Sequence, residues 1–204
     1  MNLVEKTNYS GGKTTSTLTG SITFNEALGE FTLTKNVNDN LVVTFRMDSN
    51  GIHYYDDNGV ERTFVSVLGT EYFDNNGKLM NLIDAEGSHY YDSDGVEIAL
   101  IDGTGTYYYD SNHNLISKIT PLGTYYYNSE GNLINFISAS GSHFYDANST
   151  ERIFTGMDAN GKMQMLFKDA NGVPNILIGQ NPNGGTPVIA AVKQGLNVIT
   201  ELNR

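Results

Sequence analysis

GIHYYDDNGVERTFVSVL, Gly51–Leu68, is followed without a gap by GTEYFDNNGKLMNLIDAE, Gly69–Glu86, and the same frame of eighteen residues continues to Phe154. Gly51, Gly69, Gly87, Gly105, Gly123 and Gly141 each open a row, and most rows run on as Gly-x-x-aromatic-aromatic-Asp-x-x-Gly. A fixed period of this size marks a repeat architecture, in which one unit is too small to bury an apolar face alone. With the glycine as position one, every row can be read column by column.

Two turn signals recur in each row. Asp at position six is followed by Gly three residues later, at Asp56 to Gly59, Asp74 to Gly77 and Asp92 to Gly95. The second signal joins one row to the next, at Asp48 to Gly51, Asp84 to Gly87 and Asp102 to Gly105. An aspartate caps a turn by accepting from backbone amides ahead of it, and a glycine supplies the positive φ that closes it. Each row therefore predicts two short strands, a Tyr-Tyr strand and a second of the kind formed by Leu133, Ile134, Phe136 and Ile137. Tyr, Phe, Ile and Thr favour strands, and no window keeps an i, i+3, i+4 apolar stripe, so the chain is expected to be all-β with almost no helix.

Working outward, residues 1–13 read as a flexible lead or attachment segment. Residues 14–50 form an N-terminal β segment with strands at Thr14–Phe24, Glu30–Lys35 and Leu41–Met47. Residues 51–155 are the six rows, a repeat shaft. Residues 156–204 read as a small C-terminal β cap, in which Asp158-Ala-Asn-Gly161 returns as Asp169-Ala-Asn-Gly172 and Thr186–Leu202 makes two strands broken at Gly195.

Six rows of two strands make about twelve strands of roughly 17 Å each. Neighbouring aromatics such as Tyr54 and Tyr55, Tyr90 and Tyr91, or Tyr126 and Tyr127 point to opposite faces of their strand, so both faces carry large rings. A single ribbon has no second layer to cover either face. A left-handed β-helix of one chain needs an apolar residue at every sixth position, and position nine is mostly glycine. The expectation is an intertwined trimeric β-prism or β-helix, in which each chain buries its faces against two others and sheet edges disappear.

The 204 residues carry a net charge of -11. With no basic patch to displace counterions, nucleic acid is not an expected partner. The absence of cysteine removes disulfides and thiolate metal sites. No apolar run approaches the ~20 residues of a membrane span, so membrane insertion is not expected. The opening MNLVEKTNYSGG carries no apolar secretory core, so if the protein leaves a cell the expectation is lysis or a route not written in this sequence.

Candidate chemistry falls in three columns. His53, His89 and His143 share position three, where three copies on an axis could present imidazoles to a metal. Glu71, Tyr107 and Tyr125 occupy the same column and favour a solvent-facing ladder, so no metal is assigned. The aspartates of position six offer too few converging oxygens for calcium, and turn capping accounts for them. Tyrosines 107–109 and 125–127 form clusters in adjacent rows that suit stacking on sugars. Tyr107, Tyr109, Tyr125 and Tyr127, with His89, are the candidate glycan- or receptor-contacting residues. No nucleophile motif, zinc motif or phosphate loop is present, so neither catalysis nor a cofactor is expected.

MDSNGIHYYDDNGVERTF, the paired DANG turns and the closing NILIGQNPNGGTPVIAAVKQGLNVIT resemble the shafts and C-terminal ends of tailed-bacteriophage tail-fibre, tail-tip and baseplate proteins, over residues 40–204. The resemblance implies a homotrimeric structural component of the virion tail. Its N-terminal region would be held by other tail proteins and its distal part would face a bacterial surface glycan. GTYYYDSNHNLISKI is also similar to the YD repeats of toxin-encapsulating shells, and the rows share a G-x-W-Y-Y-like pattern with choline-binding repeats but carry no Trp for their aromatic cage. Two alternatives follow: a monomeric glycan- or cell-wall-binding module at the bacterial surface, and a polysaccharide lyase of the kind that phage β-prisms carry with Tyr and acidic residues.

Overall fold

The backbone reverses twice in every row, and both reversals are held by side chains that the sequence repeats. At the first, Asp56 Oδ1 accepts from the N–H of Asn58 at 2.8 Å and of Val60 at 3.0 Å. Asn128 does the same for Glu130 and Asn132 at 3.0 and 2.9 Å, so the cap needs the oxygen and not the charge. The main chain closes the same turn, the Asp56 N–H donating to Val60 O at 2.9 Å and the Gly59 N–H to Asp56 O at 3.0 Å. A β-bulge follows beside the position-five tyrosine, at Tyr54/Tyr55, Tyr108/Tyr109 and Tyr126/Tyr127. The second reversal is a two-residue loop, with Ser66 paired to Gly69 and Thr120 to Gly123.

The computed structural model describes residues 8–10, 13–15, 20–38, 40–180, 187–193 and 196–201. Among these residues every regular element is a strand. The chain divides into two compact units, Met1–Leu100 and Ile101–Arg204. The division falls inside the third row, away from the composition changes near residues 50 and 155.

In the first unit, β1 (Asn8–Ser10) pairs with β2 (Lys13–Thr15), placing a short hairpin across the stretch read as a lead. Then β3 (Gly20–Asn25), β4 (Glu30–Val37), β5 (Asn40–Met47), β6 (Ile52–Tyr55), β7 (Glu61–Ser66), β8 (Gly69–Phe73), β9 (Leu79–Ile83) and β10 (Ser88–Tyr91) pair antiparallel in chain order. Strand β11 (Glu97–Ile101) carries the chain into the second unit. There β12 (Thr106–Tyr109), β13 (Leu115–Thr120), β14 (Gly123–Tyr127), β15 (Leu133–Ser138), β16 (Gly141–Tyr145), β17 (Glu151–Met157), β18 (Met163–Lys168), β19 (Pro174–Gln180), β20 (Pro187–Lys193) and β21 (Leu196–Glu201) form a second antiparallel meander. The six rows thus supply twelve strands, β6 to β17. The break read at Gly195 lies outside the described residues, with a strand on either side of it.

The glycine that opens a row is a matter of space as well as torsion. At Gly123, φ is +145°, and a Cβ would sit 2.1 Å from the carbonyl oxygen of Ile137 on the next strand and 2.8 Å from a Phe136 ring carbon.

Neither unit builds a thick interior. Among the described residues His53, Phe154, Gly156, Val188 and Ala190 are buried, and no large side chain is fully covered. Strands packed on their chain neighbours in one layer leave the side chains above and below them uncovered.

Position nine gives a direct test of the turn chemistry. Gly59 and Gly131 sit there at φ 78° and 80°, while His113 and Ser149 occupy the same left-handed region at 61° and 57°. A side chain there costs about 1 kcal/mol. Ser149→Gly is therefore expected to raise stability in urea unfolding by about 1 kcal/mol and Gly59→Ser to lower it by a similar amount; the same sign for both would show that backbone strain does not set these turns.

Candidate functional site

Pairing register sorts each row onto two faces. In the first unit His53 lies opposite Arg46 and Phe64, Phe64 opposite Glu71, Glu71 opposite Leu82, and Leu82 opposite His89. Residues directly opposite share a face, so positions three and fourteen form one file across the strands. In the second unit the same file runs Tyr107, Lys118, Tyr125, Phe136, His143, Phe154. Position five joins it by alternation along the strand. This first face holds every polar cluster described below.

Each histidine of position three meets a glutamate at Nδ1, and His53 and His89 meet an aspartate at Nε2 as well. His53 Nδ1 lies 2.5 Å from Glu61 Oε1, its Nε2 is 3.5 Å from Asp48, and the Arg46 guanidinium is 3.4 Å from the same Nε2. His89 repeats the arrangement, with Nδ1 2.6 Å from Glu97. Its Nε2 is 3.4 Å from Asp84 Oδ1, an ion-pair distance without the alignment of a hydrogen bond. His143 Nδ1 is 3.4 Å from Glu151, which also accepts from Lys168 Nζ at 2.9 Å.

The histidines are therefore not the solvent-facing ladder that their column suggests. His53 is only 6% exposed, with its ring stacked 4.5 Å from Phe64. An imidazole withdrawn from water needs a partner to offset lost hydration, and the glutamate at position eleven supplies it. The signal was present in the sequence. Rows with His at three carry Glu61, Glu97 and Glu151 at eleven, whereas rows with Glu71, Tyr107 and Tyr125 at three carry Leu79, Leu115 and Leu133.

The electrostatics follow from these contacts. Burial works against a charge on His89, but the Glu97 hydrogen bond and the charges of Glu97 and Asp84 outweigh it, and its pKa is raised. Asp84 is held below the usual carboxylate range, first by the Glu86 N–H and then by Gly87 and His89. Asp48 is lowered in the same way by the amides of Asn50 and Gly51 and by His53. Tyr55, Tyr91 and Tyr145 are raised by burial and next by Glu61, Glu97 and Glu151 of their own rows. Among the described residues no cluster of His, Asp and Glu is arranged to hold a metal. His53 and His89 each point their two nitrogens at different carboxylates, and His143 points one at Glu151 and the other at the Ser138 hydroxyl.

The four candidate tyrosines lie on the first face of the second unit, all half-buried. Lys118 stands between Tyr107 and Tyr125 in register, with its ammonium 4.7 Å from the Tyr125 ring centre and 6.0 Å from that of Tyr127. Tyr125 also stacks on Phe136 at 4.3 Å, so neighbours flank its ring on both strands. Tyr109 stacks on His113 at 4.5 Å, and the Tyr107 hydroxyl is 2.5 Å from that of Thr104. His89 lies in the first unit, held by its carboxylates.

The second face carries the larger apolar array. Tyr54, Tyr72 and Tyr90 in the first unit, and Tyr108, Tyr126 and Phe144 in the second, point away from the histidine file and are 38–45% exposed. The middle tyrosine of each triple, Tyr108 and Tyr126, is the outward one, while the candidates on either side of it turn to the first face. A scan against protein-family models returns no match, and a search of the curated proteins returns none.

Protonation of His89 links this site to stability. Its folded pKa is raised above the ordinary value near 6.5, so the stabilisation is fully present below about pH 6.5 and is lost as pH rises through the folded value. The gap in melting temperature between the wild type and His89→Gln should be larger at pH 6 than at pH 9. A gap independent of pH would show that His89 contributes packing alone.

Proposed function

We propose that this chain is a structural and interaction protein, a repeat segment of a self-associating β-fibre of the tailed-phage kind, built from three copies and catalysing no reaction. The observation that carries this reading is the scarcity of interior: a periodic series of large apolar side chains stays 38% or more exposed in a single copy. Soluble chains rarely leave so extended an apolar array uncovered unless it meets a partner. The acidic turns at the strand ends suit a shaft that stays soluble along its rims. In this reading the N-terminal region joins other tail proteins and the distal part faces the host surface.

Light scattering on the purified full chain should give about three times 22.4 kDa, with resistance to SDS before boiling, since intertwined chains unwind before they separate. A 22.4 kDa species at micromolar concentration would remove the fibre reading.

A second reading, glycan contact, draws on the grouping of Tyr107, Tyr125 and Tyr127 about Lys118 on one face. Aromatic rings and phenolic hydroxyls beside a cation suit an anionic wall polysaccharide. Retention on insoluble bacterial cell walls, reduced several-fold by Tyr127→Ala at unchanged circular dichroism, is the expected result; equal retention of both proteins would dismiss it.

A further inference from the structure

We infer that copies of this chain meet through the second face, ring against ring, and that the histidine-bearing first face is turned away from that contact. This rests on the self-association proposed above and adds which surface makes it. The second face is formed by positions two and fifteen, paired as Ile52 with Val65 and Thr124 with Ile137, and by positions four and thirteen, paired as Tyr54 with Thr63 and Tyr126 with Asn135.

Charge is the first argument. The chain carries a net charge of -11, so two copies repel wherever their charges approach. In all six rows positions two, four, thirteen and fifteen hold no Asp, Glu, Lys, Arg or His. The row aspartates sit in turns, and Glu61, Glu97, Glu151 and Lys118 lie with the first-face clusters. Interface cores are depleted in charge and enriched in aromatics, and this face has both properties.

Continuity is the second. Before the rows, Phe24 is 56% exposed, and Phe31, Phe45 and Tyr54 continue from it across paired strands, ring centres 6.0 and 5.4 Å apart for the last two steps. In the second unit Met163, Ile178 and Ile189 extend the same face beyond the rows at 55%, 40% and 44% exposure.

Spacing is the third, and it selects the occupant. Tyrosine files recur every second strand, roughly 10 Å apart at ~4.8 Å per strand. A second copy presents the same spacing, so its rings can seat between these files in the manner of interdigitating identical sheets. A partner of unrelated sequence has no such period. A lipid surface would meet an acidic chain whose face includes Thr, Ser and Asn at positions two and thirteen.

The test uses the full chain and the pair Ile119→Glu with Tyr126→Glu, at sites 47% and 41% exposed where a charge is tolerated in a single copy. With wild type assembled, the double variant is expected at 22.4 kDa by light scattering, and Lys118→Gln on the first face at the wild-type mass. An assembled double variant overturns the face assignment and leaves self-association standing. A monomeric wild type overturns both. If circular dichroism shows the glutamate pair unfolded, Ile119→Thr with Tyr126→Thr keeps strand-forming side chains and removes the apolar contact. Its assembly at wild-type mass and concentration dependence would equally overturn the assignment, and at least a tenfold rise in the dissociation concentration supports it.

Discussion

Everything in this structure depends on a carboxylate or amide oxygen accepting two backbone N–H groups at the first reversal of each row. Asp56, Asp92 and Asp146 each hold the amides two and four residues ahead, and the chain turns back after a strand of only four to seven residues. Strands this short, each paired to its chain neighbour, make a layer and leave nothing over to make a second. The scarcity of buried side chains follows from the turn chemistry, because reversals at so close a spacing keep the whole repeat in the sheet.

A one-layer sheet has to deal with two faces, and this chain treats them differently. On the first face imidazole and carboxylate are placed together, so that groups which lose water gain a charged partner in return. His53 with Glu61 and His89 with Glu97 show the arrangement most fully, and Lys168 joins Glu151 in the third instance. The second face takes the opposite course and carries Tyr, Ile and small polar residues with no formal charge in the rows. That face is self-similar, uncharged in the rows and exposed in a single copy, and it is the one proposed to meet another copy.

In the proposed reading the work is done by these faces. At His53 and His89 carboxylates lie on both sides of the ring, and at His143 a carboxylate lies on one side and the Ser138 hydroxyl on the other. Of the candidate sugar-contacting tyrosines, Tyr107, Tyr125 and Tyr127 gather about Lys118, Tyr125 giving part of its ring to Phe136, and Tyr109 stacks on His113. Within each unit the strands present two chemically distinct faces, one polar and internally paired, the other apolar and exposed in a single copy.

The sequence by itself determined the period, the strand content and the turns, because these rest on interactions within a few residues: an aspartate reaches the amide two ahead, and a glycine relieves its own φ. It also held the histidine pairing, in the joint appearance of His at three and Glu at eleven, which reading each column alone passes over. Only the tertiary structure decided which residues share a face. Bulges at Tyr54/Tyr55, Tyr72/Phe73, Tyr108/Tyr109, Tyr126/Tyr127 and Phe144/Tyr145 reset the register within their rows, and a shift of one residue exchanges the faces. That is why Tyr108 and Tyr126 turn outward while Tyr107, Tyr109, Tyr125 and Tyr127 do not: facing is a property of the pairing between strands, which no single strand contains.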